Sequence, residues 1–420
     1  MKSMIGVRTI KQVKTLMQKG LCWAIALAWI GFTTSSCAIP QVNAEDRLYL
    51  DLSLEYLSTF EMPKQTFNDT PVGGLSAIAY DQASDRLYAL SDDRGQGAPS
   101  RFYTLTLELD SATPDRPSLK DITIDQVTFL RDESGTLFSP GTIDPEGFAL
   151  TPQNTAIVSS EGVASEGIAP SIAEFDLTTG KRLLSFPIAE RYLPQTIDGV
   201  ASGVQDNRGF EALTLSAAGS GVGRIEPYRV FAAVEEPLLQ DVPVGAADPT
   251  EATDSETGLA ESPEPEAPAP GRILHYIVSD TQSTLIAEHL YMIEPKPFGA
   301  FTNGLVEMLS IDQAGHFLSL ERSFGINGSG AKLFQVAIAN ATDTSQMSQV
   351  GSNVETIQPV QKRLELDLLD LDIYLDNLEG MTLGPRLPDG SQSLILVSDD
   401  NFNDEQITQW LLFRVNGDFL

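Results

Sequence analysis

The chain has 420 residues, with 27 Lys and Arg against 58 Asp and Glu, a formal charge of −31. That surplus excludes nucleic acid as a natural partner, because affinity there comes from Lys and Arg on phosphates, and it favours hard cations such as calcium that take oxygen ligands. Cys22 and Cys37 are the only cysteines and both lie near the start, so neither a disulfide framework nor a cysteine-rich zinc site is expected.

In chain order, residues 1–44 read as an export signal. Five basic residues and no acid precede an apolar run from Leu21 to Phe32, and small residues and VNA lead to Glu45. Twelve apolar residues are too few to span a bilayer. Cleavage after Ala44 leaves a monomer of formal charge −36 in the periplasm or outside the cell. The alternative is a lipoprotein signal ending at residue 36, with Cys37 as a lipid anchor.

The remainder repeats. Five segments open a unit each: GLSAIAYD (74–81), PEGFALTP (145–152), GFEALTLS (209–216), LVEMLSID (305–312) and LEGMTLGP (378–385). A second segment follows each and ends in polar or acidic residues: LYALSDDRG, AIVSSEG, VFAAVEEP, FLSLERSFG and LILVSDDNF. Further alternating runs, such as RFYTLTLEL with DITIDQVTFL and RILHYIVSD with TLIAEHLYMI, supply third and fourth strands. Four short strands per unit and few helical stretches predict an all-β β-propeller of five blades, with six as the alternative count. RLYLDLSLEYL (47–57) is a lone strand before the first unit, and the last unit has only three strands, so the first is expected to complete the last and close the ring. Residues 247–270 hold seven acids, five prolines and no Lys or Arg, and read as a disordered insertion inside one repeat of a single domain, 45–420.

The repeat aligns Ser76, Glu146, Glu211, Glu307 and Glu379. Acids at the mouths of innermost strands converge on a propeller axis and repel one another unless a cation neutralises them, and calcium suits such a site. The expected metal ligands are Asp92, Asp93, Asp144, Glu146, Glu161, Glu211, Glu307, Glu379, Asp399 and Asp400. The ordered set GLSAIAYD…LYALSDDRG, DPEGFAL…IVSSEG, NRGFEALTLS and NLEGMTLGP…LILVSDDNF, over residues 70–415, resembles the phytase-like family, described as having esterase-like activity of phytase. The resemblance implies a propeller with repeated acids, phosphoester hydrolysis and export. Its acidic pattern falls on Asp92, Asp93, Asp144, Glu146, Glu161, Glu211, Glu379, Asp399 and Asp400. Two departures stand out: Ser76 replaces Glu, and the fourth unit has LVEM and LERS. These mean either an asymmetric site or a blade that has lost its role.

For phosphoester hydrolysis, Glu146 and Glu211 are the expected catalytic carboxylates, and Arg94, Arg208 and Arg322, each beside an acid, would bind phosphate. Simple charge pairing of each arginine with its neighbour explains the same pattern. SDDNFNDE (398–405) reads as a polar turn and NGSGAK (327–332) as a glycine turn. No G-x-S-x-G occurs, and His275 and His289 read as packed strand residues, with His316 less favoured as an axial group. Three functions compete: a calcium-dependent phosphoester hydrolase on a small ester substrate, a calcium-stabilised binding propeller, and a calcium-dependent lactonase or carboxylesterase.

Overall fold

A computed structural model of the chain describes residues 48–417 except 114, 198, 217–226, 243–266 and 280. The expected leader, Cys37, and positions 247–266 of the expected insertion lie outside the described residues. Strand β1 (Leu52–Met62) and a small hairpin, β2 (Gln65–Phe67) with β3 (Thr70–Val72), precede the first blade. Blade 1 is β4 (Leu75–Asp81), β5 (Arg86–Ser91), β6 (Arg101–Asp110) and β7 (Ser118–Phe129). Blade 2 is β8 (Pro145–Leu150), β9 (Thr155–Ser160), β10 (Ser171–Asp176) and β11 (Arg182–Ser185). After a second hairpin, β12 (Gln195–Ile197) with β13 (Val200–Ser202), blade 3 is β14 (Phe210–Ser216), β15 (Tyr228–Val234), β16 (Ala269–Ser279) and β17 (Gln282–Ile293). Blade 4 is β18 (Ala300–Ser310), β19 (His316–Gly325), β20 (Gly328–Ala337) and β21 (Gln361–Asp367). Blade 5 is β22 (Asn377–Arg386), β23 (Gln392–Asp399) and β24 (Thr408–Gly417), with β1 as its outer strand. The molecule is therefore a five-bladed β-propeller, and the six-blade alternative falls. Ala269 and Pro270, expected within the insertion, already pair with Ile293 and Met292 in the sheet of blade 3.

The innermost strands touch in a closed circuit, β4 against β8, β8 against β14, β14 against β18, β18 against β22 and β22 against β4. Closure is antiparallel, Leu52 opposite Gly417 through Met62 opposite Thr408, as the lone first strand predicts. The apolar core lies between blades rather than within them. Phe148, Val158 and Phe175 of blade 2 pack on Ala77, Leu90 and Phe102 of blade 1, and four equivalent clusters fill the other junctions. A single blade would leave both faces of its sheet wet, so the ring is the unit of stability.

Each innermost strand carries a bulge, between Leu75 and Ala77, Pro145 and Phe148, Phe210 and Leu213, Leu305 and Glu307, and Leu378 and Gly380. A bulge leaves one residue out of the ladder and re-aims its side chain. Here the residues so released are Ser76, Glu146, Glu211, Val306 and Glu379.

Away from the axis, His275 stacks on Phe231 with ring centroids 4.2 Å apart, and its Nε2 is buried without a partner. His316 is tied to Asp312 and to the Leu48 carbonyl, not to the axis. Burial, reinforced by Arg229 and His289, lowers the His275 pKa from 6.5 to about 4. A folded pKa below the unfolded one means fewer bound protons when folded, so this residue costs stability as pH falls from 6.5 towards 4 and adds no further loss below that. Urea unfolding from pH 7 to pH 4 should show His275→Gln gaining on the native chain over that window, and parallel curves would contradict the assignment. Removing residues 1–62 leaves β24 as an open edge, so the truncated chain should aggregate on size-exclusion chromatography.

Candidate active site

The released residues and the ends of the second strands form two rings about the axis. In register, Ser91, Ser160, Val234, Glu321 and Ser398 lie opposite Leu75, Pro145, Phe210, Leu305 and Leu378. The next residues, Asp92, Glu161, Glu235, Arg322 and Asp399, therefore share one position in the five blades. Four are acids and the fourth blade supplies Arg322 instead. In the bulge ring blade 4 has Val306, and blade 1 has Ser76. Asp92, Glu146, Glu161, Glu211, Glu379, Asp399, Arg208 and Arg322 all line one axial cavity of ≈ 650 Å³.

Close packing explains the glycines beside these acids. Gly209 precedes the bulge of blade 3, and a Cβ there would come within 2.4 Å of the Glu161 carbonyl oxygen. Its amide instead donates to Glu161 Oε2 at 3.1 Å, which fixes that carboxylate. Gly74 has φ +60 and sits against Asp92 Oδ1, where any side chain is excluded twice over.

The site has two unlike halves. On the blade 2 side, Asp144, Glu146 and Glu161 bring carboxylate oxygens within 4.8 Å of one another, a set that could hold a metal ion. Arg94 Nη2 lies 2.5 Å from Asp144 Oδ2 and 3.6 Å from Glu161 Oε1, and also reaches Asn207. On the other side Arg322 Nη2 lies 3.0 Å from Glu379 Oε1 and 3.5 Å from Glu235 Oε1, while Arg208 Nη1 meets Glu235 Oε2 at 2.8 Å. Asn377 Nδ2 donates to Glu379 Oε1 at 2.8 Å. Arg322 Nε and Asp92 Oδ1 are buried without partners.

Burial pushes Asp92, Glu146, Glu161, Glu211 and Asp399 well above the usual carboxylate range, and neighbouring carboxylates push each further. Asp144 and Glu379 are also raised by burial, with Arg94 and Arg322 opposing the shift. Two like charges 4 Å apart repel by about 4 kcal/mol at an effective dielectric of 20, so the crowd takes up protons or a cation. A donor set made of carboxylate oxygens fits a hard divalent ion.

Three expected ligands lie elsewhere. Asp93 accepts from the amides of Gly95, Gln96, Gly97 and Ala98 and from Arg101 Nη1 at 2.8 Å. Burial opposes its ionisation, but Arg101 and those amides prevail and lower its pKa. Asp400 accepts from the amides of Gly74 and Phe402 and from Thr408, holding blade 5 to the entry of blade 1. Glu307 stands one residue past the bulge position, which Val306 occupies, and a one-residue slip turns a side chain to the other face of a strand. It is buried against the amides of Leu213 and Met308.

Other cavity residues carried no signal alone. Glu235 ends VFAAV as Glu161 ends AIVSS, so strand-end alignment finds it. Asn401, Asn403 and Glu405, read as a surface turn, line the cavity rim with Tyr374 and Asp376. That turn holds Asn401 and Phe402 at φ 46 and 50, a conformation unfavourable for a phenylalanine. Asp399 and Asp400 secure it by accepting from the amides of Asn401 and Phe402. NGSGAK, expected as a glycine turn, has only Asn327 in the β19–β20 turn, and Gly328–Lys332 run in β20 paired with β19.

Among the described residues no helix is long and apolar enough to cross a membrane. A model of the phytase-like family, described as esterase-like activity of phytase, matches residues 70–402. No curated protein matches. The chain is similar to solved structures at low identity. An endo-arabinase from Bacteroides thetaiotaomicron is 10% identical over 83% of this chain and 95% of that one, at a TM-score of 0.40. The catalytic domain of a Coprinopsis cinerea GH62 α-L-arabinofuranosidase is 8% identical over 86% and 97%, at 0.37. The Dos1 propeller is 9% identical over 83% and 69%, at 0.30.

The contrast between adjacent acids supplies a test. Asp92→Asn removes one charge from a repelling set and should raise or leave unchanged the unfolding midpoint in chelator, while weakening calcium binding. Asp93→Asn breaks charge-assisted bonds and should cost about 1.5–3 kcal/mol without altering calcium affinity. Calorimetry with and without calcium reads both.

Proposed function

The chain belongs to the phytase-like family, and we propose that its axial cavity is the active site of a calcium-dependent phosphoester hydrolase. The observation that carries this reading is the meeting of carboxylates from four blades with the guanidiniums of Arg208 and Arg322 around one cavity, with Arg94 paired to Asp144 and Glu161 beside it. Carboxylates alone would suit a structural ion. The partnerless Arg322 Nε, buried at the axis, adds a donor for an anionic oxygen, as phosphoryl groups require.

Asp144, Glu146 and Glu161 would hold calcium, with Asp92 next to them. A calcium ion held there would supply a Lewis acid for a phosphoryl oxygen and would make a bound water more acidic. The residues of the chain do the rest. Arg322 and Arg208 bind the phosphoryl oxygens and are themselves held in place by Glu235 and Glu379. Glu211 faces the same space, and burial pushes its carboxyl above the usual range, which favours the protonated form that a general acid needs. Water adds to phosphorus, the bond to the leaving oxygen breaks, and that oxygen takes the Glu211 proton. The proton released by the water restores the Glu211 carboxyl. An export signal at residues 1–44 would put this chemistry outside the cytoplasm, where calcium is abundant.

The purified chain should hydrolyse small phosphomonoesters with calcium, lose turnover in chelator and regain it on calcium addition. Glu146→Gln and Glu211→Gln should each lower kcat by about 10²-fold or more with the circular dichroism spectrum unchanged. A calcium-raised melting temperature with no turnover on any ester would instead favour a binding propeller. Turnover of carboxylesters or lactones alone would favour the third reading.

A further inference from the structure

An apolar surface adjoins the acidic cavity on the blade 4 side. Phe298 is 87% exposed and Ile326 69%, and Phe301, Phe324, Leu369 and Tyr374 are exposed as well. Scattered apolar residues on a surface are ordinary, but these are contiguous. The rings of Phe301 and Phe324 meet edge to face at 6.3 Å. Ile326 lies over Gly299, where a Cβ would come within 2.8 Å of its Cγ1, and Leu369 lies 3.5 Å from a Cβ built on Gly330. A hollow of ≈ 200 Å³ opens between Phe298, Gly299, Ser329 and Leu369, lined by Gly328 and Gly330 at the start of β20. Gly328 and Ser329 line both this hollow and the axial cavity, and Phe324 and Tyr374 also line the cavity itself. The apolar surface therefore adjoins the cavity that Arg208 and Arg322 line.

Charge narrows the occupant further. Eight carboxylates (Asp92, Asp144, Glu146, Glu161, Glu211, Glu235, Glu379 and Asp399) face three guanidiniums, each already within 3.0 Å of a carboxylate oxygen. A densely charged polyanion would find repulsion and no free cationic side chain, whereas one anionic ester group needs only the bound cation and Arg322. We propose that the substrate is a singly esterified phosphate with an apolar aryl or alkyl substituent, and that blade 4 binds this substituent between Phe298, Phe301 and Phe324. This inference rests on the reading of the axial cavity as the hydrolytic site.

The test is calorimetric binding, in calcium, of 1-naphthylmethylphosphonate against methylphosphonate, with turnover of 1-naphthyl phosphate, glycerol phosphate and inositol hexakisphosphate alongside. The aryl ligand should bind about tenfold tighter or more, the factor expected for burying one aromatic ring. Phe298→Ser and Phe301→Ser should each remove most of that advantage, leave methylphosphonate affinity within about twofold, and raise KM for the naphthyl ester with kcat unchanged. Equal binding of the two phosphonates with glycerol phosphate still hydrolysed overturns the inference and leaves the hydrolase standing. No phosphonate binding and no turnover overturns both. Loss of vesicle binding, or of a dimer, in Phe298→Ser without aryl preference in the native chain assigns the surface to a bilayer or a second copy, and also overturns the inference.

Discussion

Repulsion among buried carboxylates is the constraint around which the centre of this propeller is arranged. Asp92, Glu146, Glu161, Glu211, Glu379 and Asp399 come from separate strands, yet all open on the same cavity. Nothing in the packing of strands requires acids there, and a hydrophobic plug would be more stable. The surrounding structure instead holds several of the site's carboxylates in place: an amide for Glu161, an amide side chain for Glu379, and guanidiniums for Asp144 and Glu235. Such arrangement against stability marks a site kept for binding or chemistry.

The rings are not symmetric, and the asymmetry separates tasks. Blade 2 adds Asp144 to its two ring acids, and these three carboxylates are the set that could hold a metal ion. Blade 4 puts Val306 where three other blades put glutamate and Arg322 where all four others put acids, and its Phe324, packed on Phe301, lines the cavity. Its divergent LVEM and LERS are thus where the asymmetry of the two rings originates. Glu321, the residue before Arg322, still serves the fold, accepting from Tyr291, Asn303 and Lys362.

Blade count, strand order and closure were legible because each rests on a period: alternation within strands and recurrence between them. The side-chain assignments were less so, for a local reason. A bulge adds one residue to the inner strand, and letter-by-letter alignment of LVEM with LEGM matched Glu307 to Glu379 when register matches Val306 to it. Asp93 and Asp400 misled because adjacent acids in SDD look equivalent, while alternation turns the first towards the axis and the second into a nest of amides. Glu235 was overlooked since blade 3 lacks the SDD or SEG spelling. Only the position of a residue relative to the strand end, not the motif around it, predicts where its carboxylate goes.

The pairing of β1 with β24 joins residues that are more than 300 positions apart in the chain. Contacts of that range form late, because the intervening loop must lose its freedom first. During synthesis the first four blades can therefore stack only as an open arc, with the strand that will seal it already made and waiting. Quality control that samples exposed edges would see this arc as unfinished until the seal is made.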